Sequence, residues 1–252
     1  MSIILRVDPD FTQGLVARYL FTSDASDSLG NFNAGAGGSS ITYSSAGARL
    51  QKVGNSNHKL TFGADGNSSN LSTTLNDLSS TTGTISFWVK ASTNLAADNT
   101  FKEVYVFGSY QGNAAGQKGP HFGYWETAPI GNYSVDNGLA GWHFFSFVSH
   151  TDPYEGADWN GDTGTTDYHH IVLTVNGTSI RMYKDGEITD SYTATRGWPI
   201  DSLQWELNGK AGSLATATYF DGFFKDLAVW TGRVLEDDEV RALYYRGHGG
   251  TY

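Results

Sequence analysis

Four groups of residues have types and spacings that could do chemistry. The first is Asp158-Trp159-Asn160-Gly161-Asp162-Thr163-Gly164, which sets oxygen-bearing side chains at alternate positions among glycines. A hard cation takes several oxygens from a tightly curved backbone, so Asp158, Asn160 and Asp162 are candidate calcium ligands. The run is not an EF-hand: its sixth position is Thr163 instead of glycine, and its twelfth is His169 where a bidentate glutamate is needed. Turn chemistry is the more ordinary use of such a pattern.

The second group is aromatic: His121-Phe122-Gly123-Tyr124-Trp125, Trp142-His143-Phe144-Phe145, and Tyr154 with Trp159. Sugar rings present apolar C–H faces that stack on Trp and Tyr, while neighbouring Asp, Asn and amide groups hydrogen-bond the hydroxyls. Tyr124, Trp125, Tyr154 and Trp159 are therefore the candidate glycan-binding residues. Phe144, Phe145 and Trp88 are assigned to the core, where strand alternation buries such side chains.

The third group is the carboxylates. Retaining glycoside hydrolysis needs two carboxyl groups about 5 Å apart, which on a strand means alternate positions on one face. Glu103, Glu126, Glu155, Glu187 and Glu206 are isolated, and Glu236 and Glu239 fall in a helical stretch. No catalytic residue is assigned, and the chain is expected not to be an enzyme.

The fourth is His169-His170. On adjacent strand positions the two rings point to opposite faces and cannot share one ion, so both are expected to be structural, one inside a sandwich and one outside. Asp24, Asp27 and Asn31 form another oxygen-rich loop, expected to cap and brace a turn, with a structural cation as the alternative.

Strands must position these groups. Tyr168 to Ile188 alternates apolar and polar residues and is broken by Asn176-Gly177 and Asp185-Gly186, the strongest short-range signal for antiparallel strands joined by tight turns. Similar alternation predicts strands from Leu15 to Phe21, Lys59 to Phe62, Thr84 to Lys90 (Ile85, Phe87 and Val89 inward), Glu103 to Gly108, His121 to Trp125, Trp142 to Val148, Leu203 to Leu207 and Tyr219 to Trp230. Weaker strand character surrounds Ile41 to Tyr43. Leu235 to Tyr245 switches to helical spacing behind acidic residues, which favour a helix N-terminus. Ser92 to Thr166 reads as long loops decorating one sandwich.

Composition agrees. Aromatic content of 14%, 31 glycines and 17% charged residues suit short strands and many turns. The net charge of −10 repels phosphate backbones and anionic membranes, so nucleic acid is excluded as a partner. There is no cysteine, hence no disulfide framework or thiolate site. No run approaches the ~20 apolar residues of a membrane span, and the N-terminus lacks the pattern of a signal peptide.

Gly14-Leu15-Val16-Ala17-Arg18-Tyr19-Leu20-Phe21 with Asp24 to Asn31, Thr84-Ile85-Ser86-Phe87-Trp88-Val89-Lys90, and Tyr168-His169-His170-Ile171-Val172-Leu173-Thr174-Val175 resemble three signature segments of laminin G-like, concanavalin A-like jelly-roll domains. Tyr183-Lys184-Asp185-Gly186 resembles the turn after the central strand, and Phe220 to Trp230 with Arg233-Val234-Leu235 the closing strand and its exit. The resemblance runs from Gly14 to Tyr245. It implies one domain spanning residues 1–252, an all-β, two-sheet antiparallel sandwich with adjacent terminal strands and one short C-terminal helix. Lys225 stands where the family often has an acidic residue, and Ser92 to Thr166 is longer than usual, which points to those loops for function.

Such domains bind glycans, sometimes with calcium, or serve as adhesion and structural modules; relatives of the same architecture cleave polysaccharides. The expected function is a non-enzymatic recognition or structural module, most simply a phage virion decoration or tail-fibre-type protein on the virion surface. Its expected partners are carbohydrate or other capsid proteins, with homo-oligomers an open option. A secreted or cell-surface carbohydrate-binding module is the alternative, and a glucanase relative the third reading.

Overall fold

A computed structural model describes residues 9–32, 35–38, 41–53, 56–62, 82–92, 103–109, 121–125, 141–146, 155–160, 166–193, 205–207 and 217–247. In chain order the strands begin with β1 (Leu15–Tyr19), β2 (Gly35–Gly38), β3 (Thr42–Ser44), β4 (Gly47–Leu50), β5 (Lys52–Val53), β6 (Ser56–Phe62), β7 (Thr82–Ala91), β8 (Glu103–Ser109) and β9 (His121–Trp125). They continue with β10 (Gly141–Ser146), β11 (Glu155–Asn160), β12 (His169–Asn176), β13 (Ser179–Lys184), β14 (Glu187–Thr193), β15 (Trp205–Leu207), β16 (Ala217–Tyr219) and β17 (Gly222–Thr231). The helix α1 (Asp237–Gly247) follows.

The first sheet runs β14-β13-β12-β7-β17-β4-β3, with β1 paired to β17; the second runs β11-β10-β9-β8-β15-β6-β2. The terminal strands β1 and β17 are neighbours, as the resemblance implies. Pairing is antiparallel throughout except for β16, which lies parallel to β8.

Turn chemistry sets the register of the β12–β13–β14 meander. Asn176 pairs with Ser179, so the first loop is Gly177-Thr178; its positive φ at Gly177 alone is the pattern of a type II′ turn. At the second, Asp185 and Gly186 both have positive φ (52° and 85°), the type I′ pattern that matches strand twist.

The main core lies between the sheets. Ile85, Phe87 and Val89 of β7 and Ile171, Leu173 and Val175 of β12 meet Phe122, Tyr124, Trp142 and Phe144 of the second sheet. The Phe87 ring sits at its centre, 5.0 Å from Phe122 and 4.9 Å from Phe224. Pairs of this kind add about 0.5–1.5 kcal/mol beyond area burial.

A second apolar layer covers the outer face of the first sheet. Val172, Tyr183, Ala228 and Trp230 pack with Phe11 against Leu235, Val240 and Leu243 of the α1 segment. Thr84 Oγ1 anchors the approach to α1 by accepting from the Leu235 N–H and donating to the Arg233 carbonyl. Trp88 is buried, as expected, but it shares this outer face with Tyr244 of α1 and not the inter-sheet core.

Residues 155–160 were expected to be loop and form β11 instead. Six consecutive pairings with β10 supply the strand, so a neighbour's ladder overrides a weak local preference. α1 begins and ends two residues later than its periodicity suggests, because Leu235 and Glu236 belong to the extended approach.

Candidate functional site

Among the described residues, the glycan and calcium candidates Tyr124, Trp125, Asp158, Trp159 and Asn160 fall on one edge of the second sheet, the ribbon β9–β10–β11. Its registers define rows across three strands. Trp125, Gly141 and Asn160 form one; Tyr124, Trp142 and Trp159 the next; Gly123, His143 and Asp158 the third. Alternate rows lie on opposite faces. The middle row faces the core, since Tyr124 and Trp142 are fully buried there with ring centroids 5.4 Å apart.

Tyr124 is therefore corrected from glycan candidate to core residue: fully buried, its ring cannot receive a sugar. Trp159 is the register partner of Trp142, in the core row. Trp125 and Asn160 flank Gly141 in a row of the other face, and Asp158 is opposite the buried His143. Tyr154 and Asp162 lie outside the described residues. Phe145 pairs with His121 and Gly156 in a further row of that other face, not in the core-facing rows.

The candidate calcium ligands Asp158 and Asn160 sit on an extended strand, not a curved loop. Alternate strand residues are about 6.7 Å apart, so the backbone does not wrap them around one point. Among the described residues no group of three His, Asp or Glu side chains could hold a metal.

The Asp24–Asn31 loop is braced as expected. The buried Asp27 carboxylate accepts from the backbone N–H groups of Arg18, Leu29, Asn31 and Phe32 at 2.8–3.1 Å. Asp24 accepts from the Ser26 N–H, and the Asn31 side chain donates to the Val16 carbonyl.

His169 and His170 separate to opposite faces, as strand geometry demands. His169 Nδ1 is 2.8 Å from Asp185 Oδ2, whose partner oxygen accepts from the His170 N–H. His170 is fully buried, but beneath α1 instead of between the sheets: its Nε2 is 2.8 Å from Ser86 Oγ, and its ring lies against Trp88 and Tyr244.

A cationic and aromatic cluster on the outer face of the first sheet escaped the motif reading. Arg49, Phe223 and Lys90 are in register across β4, β17 and β7, and Lys225 pairs with Trp88 one row further on. Lys225 Nζ lies 4.3 Å from the Tyr168 ring centroid and 5.6 Å from that of Trp88, and Lys90 Nζ lies 5.4 Å from Tyr168. The only sequence signal was lysine at position 225.

The model of the concanavalin A-like lectin/glucanases superfamily matches residues 65–241. The chain belongs to that superfamily. A search of curated protein sequences finds no match. Solved structures of this architecture include domain 4 of AbnA, a GH43 extracellular arabinanase from Geobacillus stearothermophilus, in complex with arabinotriose. That domain is 17% identical at TM-score 0.57, covering 91% of this chain and 98% of its own. The binding domain of botulinum neurotoxin DC in complex with SialylT is 11% identical at TM-score 0.59, over 94% of this chain and 52% of that one. Trypanosoma rangeli sialidase in complex with a difluoro-KDN is 14% identical at TM-score 0.63, over 97% and 34%. At such identities the likeness is one of fold, and within the superfamily the site must be argued from this chain's residues.

Proposed function

We propose that this superfamily member is a non-catalytic carbohydrate-recognition module. The observation that carries the reading is the register of the β9–β10–β11 ribbon. It sets an indole residue, Trp125, and an amide residue, Asn160, on either side of side-chain-free Gly141. Two neighbours of the same fold are described in complex with arabinotriose and with SialylT, which supports a sugar as the ligand class.

A non-catalytic role is supported by the spacing of strand glutamates. Glu206 pairs with Gly108, five residues from Glu103 along β8, or about 17 Å, whereas paired hydrolytic carboxyls stand about 5–9.5 Å apart. Glu155 lies at the far end of β11 from Asn160, whose row holds Trp125, the partner of Glu103.

Glycan-array screening followed by titration of hits tests the reading. Trp125→Ala is expected to weaken binding at least tenfold, about 1.4 kcal/mol, with unchanged melting. Tyr124→Ala is expected to cost stability, about 3–5 kcal/mol for a large buried aromatic. Unaltered binding by Trp125→Ala together with a lowered melting temperature would return Trp125 to the core and sink the site. Calcium is tested by melting: a rise in melting temperature on its addition would show that the native state binds it, and no shift under calcium or EDTA removes it. The setting we propose is a virion surface, supported by the acidic, Gly- and Ser-rich composition; proteomics of purified particles tests it.

A further inference from the structure

The cluster on the outer face of the first sheet carries a second inference, which rests on the glycan reading above. In a chain with 16 basic and 26 acidic residues, Arg49, Lys90 and Lys225 share adjacent strands on one face. Asp221 pairs with Arg49 of this group, while Asp226 pairs with Arg18 and Asp185 with His169. Among the described residues no carboxylate pairs with Lys90 or Lys225; both ammonium groups lie instead against aromatic rings.

The backbone holds this arrangement. A bulge interrupts the β17–β7 register between Lys225 and Ala228, and Asp226 within it adopts φ 51°. The bulge turns Asp226 away to Arg18, at 2.9 Å, while Lys225 stays in the row of Trp88. Gly47 permits the packing: a Cβ there would stand 2.6 Å from the Phe224 carbonyl and 2.8 Å from the Lys225 Cβ. Tyr168 is held by its hydroxyl, which donates to the Ala46 carbonyl. Burial pushes the Lys225 ammonium below its ordinary pKa, with Asp226 opposing.

A partly desolvated ammonium over π faces gains further from an anion, and two such groups beside one tyrosine suit a single carboxylate. We propose that Lys90, Lys225 and Tyr168 form a subsite for a carboxylated sugar, a uronate or sialate residue, distinct from the β9–β11 ribbon. A sugar is favoured over an acidic peptide because the cations sit beside the half-buried rings of Phe223 and Tyr168, whose apolar edges match C–H faces beside the charge.

Isothermal titration with trigalacturonate, neutral arabinotriose and hexaglutamate tests this. Trigalacturonate is expected to bind at 50 mM salt and to weaken at least tenfold at 500 mM, as charge screening requires. Lys90→Met/Lys225→Met should lose at least tenfold, Lys90→Met alone part of that, and Lys90→Arg/Lys225→Arg should retain affinity within about threefold, where thermal melts confirm folding. If trigalacturonate binds wild type and the Met variant alike, the subsite falls and the glycan reading stands, whereas arabinotriose is expected to bind both alike. Hexaglutamate binding with the same lysine dependence reassigns the cluster to an acidic protein segment and overturns the proposal. Absence of binding to any sugar overturns both readings.

Discussion

At the scale of single residues, Asp185 shows how one side chain can be fixed by geometry before chemistry. Its positive φ satisfies the turn, and its two oxygens tie His169 and the His170 backbone together. Burial works against the carboxylate, but the bonds from His169 and His170 outweigh it and hold its pKa below the ordinary 3.8. A carboxyl whose folded pKa is depressed contributes stability that is complete above the unfolded value and lost as pH falls through the folded one. Asparagine tolerates the left-handed conformation, so Asp185→Asn isolates the charge. The variant is expected to lose about 1–2 kcal/mol at pH 7, with the gap to wild type closing as pH drops below 3.8. Urea melts at pH 7 and pH 3 check this; an equal gap at both would discard the account. The residue scale also separates Tyr124 from Trp125: adjacent in sequence, they fall in successive rows of the ladder, and Tyr124 is the one fully buried in the core.

At the scale of elements, α1 is a structural lid over one sheet. Its acidic first turn, Asp237, Asp238 and Glu239, suits the positive end of the helix dipole. Arg233 ties Glu239 to the Asp10 and Gln13 carbonyls, so the N-terminal segment and the helix approach share one anchor. Leu243→Ala removes a fully buried side chain beneath this lid and is expected to cost about 2–5 kcal/mol in chemical denaturation. A loss under 1 kcal/mol would mean that α1 docks without that contact. β11 carries the opposite lesson: six pairings with β10 make a strand of a stretch whose Asp, Asn and Gly content reads as turn. The aromatic cluster of β9 and β10 was legible as strand, whereas its division between faces depended on the partners across the ladder.

At the scale of the whole molecule, both apolar layers share strands. β7 sends Ile85, Phe87 and Val89 to the inter-sheet core and Thr84, Ser86 and Trp88 to the side of α1. Loss of one layer exposes the back of the other, so the described fold is expected to unfold as one cooperative unit. Far-ultraviolet circular dichroism and tryptophan fluorescence should give coincident urea midpoints, and Leu243→Ala should move both together. A separate early fluorescence transition would show α1 undocking on its own.

The sequence by itself determined the two-sheet sandwich, the meander and its turns, the C-terminal helix and the superfamily, because alternation, positive-φ dipeptides and helical spacing are local signals. It also determined that Asp24 and Asp27 brace a loop, since short carboxylates reach backbone amides two to five residues on, whereas the bond from the Arg18 N–H to Asp27 needed the strand β1 beside the loop. What only the tertiary structure decided depends on neighbours distant in the chain. Tyr124 is core because Trp142 covers it, His170 is buried because Tyr244 lies over it, and residues 155–160 are a strand because β10 pairs with them. The lysine cluster needed the same step: Lys90, Tyr168 and Lys225 are far apart in sequence and become one site only where the sheet sets β12, which Tyr168 precedes, beside β7 and β7 beside β17.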